Sequence, residues 1–227
     1  MPKTHPTPKL VIFDCDGVLV DSEGMSNQVL IDNLARFGLQ LQLSDCMDLF
    51  VGGTIKGVMG TAREMGADLP PTWVEDVYQE IYLSLESGVP LVPGIPELLA
   101  LLDRRGIPCC VASNGSEEKM RITLGQNGLW ERFHPNAMFS AHTLGVAKPE
   151  PGLFLAAASH FDVQARDCLV IEDSATGATA ALRAGMRCLG YAPEGNGERL
   201  AEQGAEVFSA MAQVPELIGL TSASAEA

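Results

Sequence analysis

Four short, predominantly hydrophobic runs punctuate the chain: Leu10 to Phe13, Pro108 to Ala112, Cys168 to Ile171 and Met186 to Leu189, the last interrupted by Arg187. Each ends in turn-forming or polar residues, as a strand buried on both faces of a parallel sheet does. Between the runs, apolar positions recur at helical spacing. Ile95, Leu98, Leu99, Leu101 and Leu102 precede the second run, Met120 and Leu124 follow it, and Leu153, Phe154 and Ala157 precede the third. Strands alternating with helices predict an α/β fold built on a doubly wound parallel sheet. From Ser22 to Gly88 the pattern changes. Met25, Val29, Leu30, Leu34 and Phe37 form one apolar stripe, Ile55, Val58, Met59 and Ala62 a second, and Trp73, Val74, Val77, Tyr78, Ile81, Tyr82 and Leu85 a third, with no strand signal. Residues 22–88 are therefore expected to be a small all-helical cap inserted after the first strand, with 1–21 and 89–227 forming the core. Val92-Pro93-Gly94 is the turn that opens the next helix.

Composition narrows the function classes. With 227 residues, 46% hydrophobic and only 19% charged, the chain has a globular composition and enough length for one domain plus an insert. The formal net charge of -14 repels phosphate backbones and anionic lipid, so neither nucleic acid nor a membrane surface is an expected partner. A small phosphorylated metabolite meets the same repulsion and needs local positive charge for capture. The six cysteines (Cys15, Cys46, Cys109, Cys110, Cys168 and Cys188) lie mostly in strand-like runs without metal-ligand spacing and read as buried, reduced thiols. No run approaches transmembrane length, and Met1 to Pro8 carries three prolines with no apolar segment, unlike a signal peptide or anchor. A cytoplasmic protein is expected. The sequence does not set the oligomeric state, and a monomer is the preferred reading.

The chemistry concentrates at strand ends. Asp14-Cys15-Asp16-Gly17-Val18 follows the first apolar run, and two carboxylates two residues apart can enter one pocket, one to hold a cation or attack phosphorus and the other to move a proton. Such a pair is costly unless a metal binds or one pKa shifts. A calcium loop does not fit, because Leu19 and Met25 stand where its Gly and Glu are required. A plain strand-to-turn junction remains the alternative for this segment taken alone. Glu172-Asp173 ends a second run and is followed by Ser174 and the small residues Ala175, Gly177 and Ala178. A capped helix N-terminus accounts for one acid there. It does not account for two acidic pairs at converging strand ends, whereas Mg2+ does, since it takes a few carboxylate oxygens together with water and phosphate. Ser113-Asn114-Gly115 ends another run, and Ser116-Glu117-Glu118 starts a helix. This is either a turn and cap or a phosphate cradle built from the Ser113 hydroxyl and backbone N–H groups, with Gly115 allowing the tight backbone. Lys148 precedes Pro149, which biases it to extended backbone in a loop opening on the same sheet edge; a solvated lysine is the alternative.

Taken together, Asp14-Cys15-Asp16-Gly17-Val18-Leu19-Val20-Asp21-Ser22, Ser113-Asn114-Gly115, Lys148-Pro149 and Glu172-Asp173-Ser174 resemble, in order and spacing, the four motifs of the haloacid dehalogenase-like phosphohydrolases. Ser113 to Met120 is most similar to the bacterial sugar-phosphate phosphatases, including those acting on 6-phosphogluconate, and the β-phosphoglucomutases come next. The resemblance implies a Rossmann-like core and a Mg2+-dependent phosphatase of a small phosphorylated sugar or sugar acid. It casts Asp14 as the nucleophile that forms an aspartyl-phosphate and Asp16 as the acid that protonates the leaving alcohol and then the base for water. Asp14, Asp16 through its backbone carbonyl, and Asp173 would hold Mg2+, with Glu172 through water or nearby. Ser113, the Asn114 N–H and Lys148 would neutralise the phosphoryl oxygens.

Departures from the family bear on substrate. The mutases carry a histidine where this chain has Ser26 and an arginine where it has Ile55, which favours hydrolysis over isomerisation. The loop Val51-Gly52-Gly53-Thr54 is expected to lie over the substrate. Lys56 is the nearest basic candidate for a second anionic group and Glu23 a candidate for the cap entrance; a solvated lysine and an exposed helix-start acid are the plainer accounts. A sugar phosphomutase is the closest rival. A phospho-aspartate receiver module accounts for neither the insert nor the second carboxylate, and a dehalogenase would need no metal.

Overall fold

The computed structural model describes residues 6–50 and 54–220, so Val51, Gly52 and Gly53 of the expected substrate loop lie outside the described residues. The first apolar run is β1 (Leu10–Phe13), and four helices follow: α1 (Glu23–Arg36), α2 (Leu43–Phe50), α3 (Ile55–Glu64) and α4 (Trp73–Leu85). Next come α5 (Ile95–Arg104), β2 (Cys109–Ser113), α6 (Glu117–Gly125), α7 (Trp130–Phe133), β3 (Met138–Ser140), α8 (Ala141–Leu144) and α9 (Gly152–His160). The chain continues through β4 (Cys168–Glu172), α10 (Ala175–Arg183), β5 (Arg187–Tyr191), α11 (Glu198–Glu202), β6 (Glu206–Phe208) and α12 (Val214–Leu217).

The strands form one sheet in the order β3-β2-β1-β4-β5-β6, with every neighbouring pair parallel. This is a doubly wound α/β sheet. Successive side chains of a strand point to opposite faces. Val11, Phe13, Val111, Leu169 and Ile171 join the core layer shared with α1, α4, α5 and α6, while Leu10, Ile12, Cys110, Ala112 and Val170 join the layer under α9 and α10. Burial on both faces is why these strands read as unbroken apolar runs. Strand order reverses at β1: β2 and β3 extend to one side, β4 to β6 to the other. Ligands of such sheets bind beyond the carboxyl ends of the strands at that reversal.

The four helices between β1 and α5 leave and rejoin the sheet at one place. Val20 and Leu91 form an antiparallel bridge, the Asp21 N–H donates to the Pro90 carbonyl at 2.9 Å, and the Val92 N–H donates to the Leu19 carbonyl at 3.0 Å. Within this segment Trp73 is fully buried, and its indole Nε1 donates to Asn33 Oδ1 at 2.7 Å, tying α4 to α1. Across to the sheet side, the Tyr82 hydroxyl of α4 shares a 2.6 Å hydrogen bond with Ser116 Oγ, the residue that caps α6. Among the described residues no helix is long and apolar enough to cross a membrane. All six cysteines are free thiols, five of them buried and Cys109 partly so.

Candidate active site

Strand pairing carries the two acidic segments to the same point. The Asp14 N–H donates to the Ile171 carbonyl at 2.9 Å, which keeps β1 and β4 in register to their tips and sets Asp14 beside Glu172. The chain then folds back on itself. The Gly17 N–H reaches the Val20 carbonyl at 2.8 Å and the Leu19 N–H the Cys15 carbonyl at 2.9 Å. Gly17 has φ of +73°, a left-handed conformation natural to glycine, and a Cβ there would overlap the Asp173 carboxylate. Asp173 can occupy its position because residue 17 has no side chain.

Lys148 joins the two acidic segments. Its Nζ lies 2.7 Å from Asp14 Oδ1 and 2.5 Å from Glu172 Oε1, with the Phe154 ring centroid 5.1 Å away. The other oxygen of Glu172 accepts from the Asp173 N–H at 3.1 Å, the Ser174 N–H at 3.0 Å and the Ser174 hydroxyl at 2.9 Å. Glu172 has no exposed surface, so it is the fully paired buried carboxylate that such burial demands. Asn114 supports the lysine from behind: its Oδ1 accepts from the Lys148 N–H at 2.9 Å and its Nδ2 donates to the Lys148 carbonyl at 3.3 Å. The Asn114 side chain thus fixes the Lys148 backbone. Ser113, the last residue of β2, accepts from the Gly115 N–H at 2.9 Å, and the Gly115 carbonyl accepts from Ser140 Oγ at 2.7 Å.

Asp16 is held separately. Its Oδ1 accepts from the Ser22 hydroxyl and from Lys119 Nζ, the latter at 2.8 Å. Burial alone would raise its pKa, but the Lys119 ammonium and these hydrogen bonds outweigh that and hold it below the usual carboxylate range. The remaining carboxyls behave differently. Burial raises Asp14 to about 7 against the opposing pull of Lys148; burial and then the Asp16 charge raise Glu23 to about 7; and burial together with Glu23 and Glu172 pushes Asp173 well up. These shifts mark negative charge that the neighbouring lysines do not balance. Asp14, Glu172 and Asp173 each offer a carboxylate oxygen within 4.8 Å of one another. A hard divalent cation fits this all-oxygen donor set and the charge deficit around it. Both Glu172 oxygens are already engaged by Lys148 and Ser174, which leaves Asp14 and Asp173 as the better-disposed ligands.

A cavity of about 150 Å³ opens over this cluster, between the strand tips and the helices α1, α3 and α4. Asp14, Asp16, Ser113, Asn114, Gly115, Lys148, Glu172 and Asp173 all line it, as does Glu23, the first residue of α1. Lys56 does not: it is exposed on α3, while its neighbours Thr54 and Ile55 face the cavity. Two lysines line the cavity among the described residues, Lys148 and Lys119. Sequence reasoning passed over Lys119, along with Asn27 and Tyr78 on the helical side. The place of Lys119 in the first turn of a helix gave no distinguishing signal, since Lys56 holds the same kind of position in α3 and is exposed.

Residues 8–185 match the model of the haloacid dehalogenase-like hydrolases. A 6-phosphogluconate phosphatase from Escherichia coli (strain K12) is 29% identical over 209 residues, covering 91% of this chain and 93% of its own. Hexitol phosphatase B from the same organism is 29% identical over 191 residues, covering 81% and 84%. The crystal structure of a conserved haloacid dehalogenase-like protein of unknown function from Agrobacterium tumefaciens str. C58 is 32% identical, with a TM-score of 0.81 over 92% of this chain and 97% of that one. A match running from the start of β1 through α10, with relatives alike over most of their length, leads to one assignment: this chain belongs to the haloacid dehalogenase-like hydrolases.

Proposed function

We propose that the protein is a Mg2+-dependent phosphatase that hydrolyses a small phosphorylated sugar or sugar acid through an aspartyl-phosphate on Asp14. The observation that carries this reading is the convergence of Asp14, Lys148, Glu172 and Asp173 at the strand reversal, with Asp16 and Ser113 lining the same cavity. A carboxylate oxygen of Asp14 attacks phosphorus as the bond to the substrate oxygen breaks, and that oxygen takes its proton from Asp16, which, held ionised by Lys119 and Ser22 in the free site, first takes that proton from solvent as the phosphate dianion enters. In the second half Asp16, now a carboxylate, takes a proton from water as the water oxygen attacks phosphorus, releasing Asp14 and inorganic phosphate. Lys148 and the Ser113 hydroxyl offset negative charge on the phosphoryl oxygens. Asp14 and Asp173 would hold Mg2+ together with the Asp16 backbone carbonyl, with Glu172 at the edge of the site. When bound, the ion supplies positive charge against the phosphoryl group and the crowded carboxylates.

Several donors are needed because the uncatalysed reaction is so slow. Rate enhancements for phosphate monoesters approach ~10²¹, and removing one preorganised donor typically costs ~3 to 4 kcal/mol. Residues 22–88 act in this reading as the cap and 1–21 with 89–227 as the core; the paired crossings at Val20 and Leu91 support a shared hinge there. Two relatives named for 6-phosphogluconate and hexitol phosphates support a polyhydroxylated substrate. Ser26 and Ile55 both line the cavity, at positions where the mutases carry their histidine and arginine, which supports hydrolysis over isomerisation. The test is phosphate release from a panel of sugar, sugar-acid and hexitol phosphates, run with Mg2+ and again with chelator. Release that depends on Mg2+ is expected. No release from any of these esters in Mg2+ refutes the proposal.

A further inference from the structure

We infer that Lys119 is the positioning residue for Asp16, holding one carboxylate oxygen so that the other faces the leaving oxygen of the substrate. The inference rests on the acid/base role proposed for Asp16. Lys119 Nζ and the Ser22 hydroxyl both donate to Asp16 Oδ1. An oxygen already accepting two hydrogen bonds is a poor place for a proton, so the proton that Asp16 delivers or takes belongs on Oδ2. Oδ2 is aimed at the space in front of Gly115. A Cβ at Gly115 would stand 3.5 Å from Asp16 Oδ2 and 3.2 Å from Ser113 Oγ, so the acid/base oxygen and the phosphoryl-binding hydroxyl border the same small volume.

The fold also accounts for how Lys119 reaches this position. Ser116 caps α6 and accepts from the Lys119 N–H at 3.1 Å, which places Lys119 in the first helical turn. Side chains in a helix tilt toward its N-terminus, here toward the strand tips. The lysine side chain is only 15% exposed and lines the cavity. The helix dipole disfavours a cation in that turn, and the bond to Asp16 offsets this. Lys148, the other lining lysine, is committed to Asp14 and Glu172, so it does not substitute.

Leaving-group dependence tests the inference. An alkyl ester, such as a hexitol 6-phosphate, must receive a proton as it leaves, whereas p-nitrophenyl phosphate expels a stable anion and does not. The quantity measured is the ratio of kcat/KM for the alkyl ester to kcat/KM for the aryl ester. This ratio reports the first half-reaction and is unaffected by how much of a sample is folded. Asp16→Asn serves as the reference and is expected to lower the ratio by ~100-fold or more. Lys119→Met and Lys119→Gln are expected to lower it at least tenfold, and Lys119→Arg, which keeps a donor and a charge, to recover most of the loss. A ratio unchanged from wild type in both Lys119→Met and Lys119→Gln, while Asp16→Asn lowers it, overturns the role of Lys119 alone. An unchanged ratio in Asp16→Asn overturns the acid/base reading of Asp16 and the inference with it.

Discussion

Gly177→Ala sets two effects of known sign against each other. Gly177 lies in the first turn of α10, where its N–H donates to Ser174 Oγ at 3.0 Å, and its φ is not in the left-handed region. By helix propensity alone, alanine there should stabilise the protein by ~1 kcal/mol. The structure predicts the opposite, because a Cβ at position 177 would overlap the carboxyl group of Glu172. A flexible side-chain end can usually step aside, but this one has no exposed surface and is pinned by Lys148, Ser174 and the Asp173 N–H. Hydrogen bonds to a charged group contribute ~1.5 to 3 kcal/mol each, and breaking a buried ion pair costs ~3 to 5 kcal/mol. Partial displacement of Glu172 should therefore outweigh the propensity gain and leave a net loss of ~2 to 4 kcal/mol. It should also release Lys148 from one of its two carboxylates and slow turnover by ~100-fold or more. Urea unfolding at pH 7 and steady-state phosphate release on the same preparation read both effects. A variant at least as stable as wild type with unchanged kcat would refute the claim that the glycine exists to make room for Glu172.

Lys148→Ala removes the cation that Asp14 and Glu172 share and should cut kcat by at least 100-fold in a protein of native circular dichroism; a wild-type rate would remove it from the chemistry. Trp73→Ala empties a fully buried position and leaves Asn33 Oδ1 without its indole donor, so it should cost ~3 to 5 kcal/mol in urea unfolding, and a loss below 1 kcal/mol would contradict the packing described. Asp103 accepts from both Arg132 Nη groups, at 2.8 and 2.6 Å, and these bonds hold its carboxyl below the usual range. A depressed carboxylate stabilises the fold above its unfolded pKa of about 3.9, and the contribution disappears as pH falls through the folded value. The pair is more than half exposed on the Asp103 side, so Asp103→Asn should cost only ~0.5 to 1 kcal/mol at pH 7, with the difference closing in strongly acidic buffer.

The sequence made some elements plain and hid others for physical reasons. β1, β2, β4 and β5 were legible because burial on both faces makes most of their length apolar, with Ser113, Glu172 and Arg187 only at strand ends. β3 and β6 are three-residue strands at the sheet edges and are too short for such a run. α2 was missed because Leu43 and Leu49 face solvent, so the apolar residues at its two ends mark no inward face. Three core motifs are legible because each sits at a strand tip and the sheet itself brings the tips together, while Lys148 reaches them from the loop between α8 and α9. Residues of the helical segment carry no such guarantee. Lys56 was singled out by its nearness in sequence to the substrate loop, yet α3 turns Thr54 and Ile55 to the cavity and leaves Lys56 in solvent. Lys119 reaches Asp16 from a separate helix, a contact no local spacing encodes.

The central claim is that Asp14 carries the phosphoryl group during turnover. Acid quench of the enzyme while it hydrolyses a hexitol phosphate, borohydride reduction of any acyl-phosphate and peptide mass spectrometry test it directly. The account predicts conversion of Asp14 to homoserine, dependent on substrate and Mg2+ and absent in Asp14→Asn. Vigorous turnover with Asp14 unmodified, or modification at another carboxylate, would contradict it.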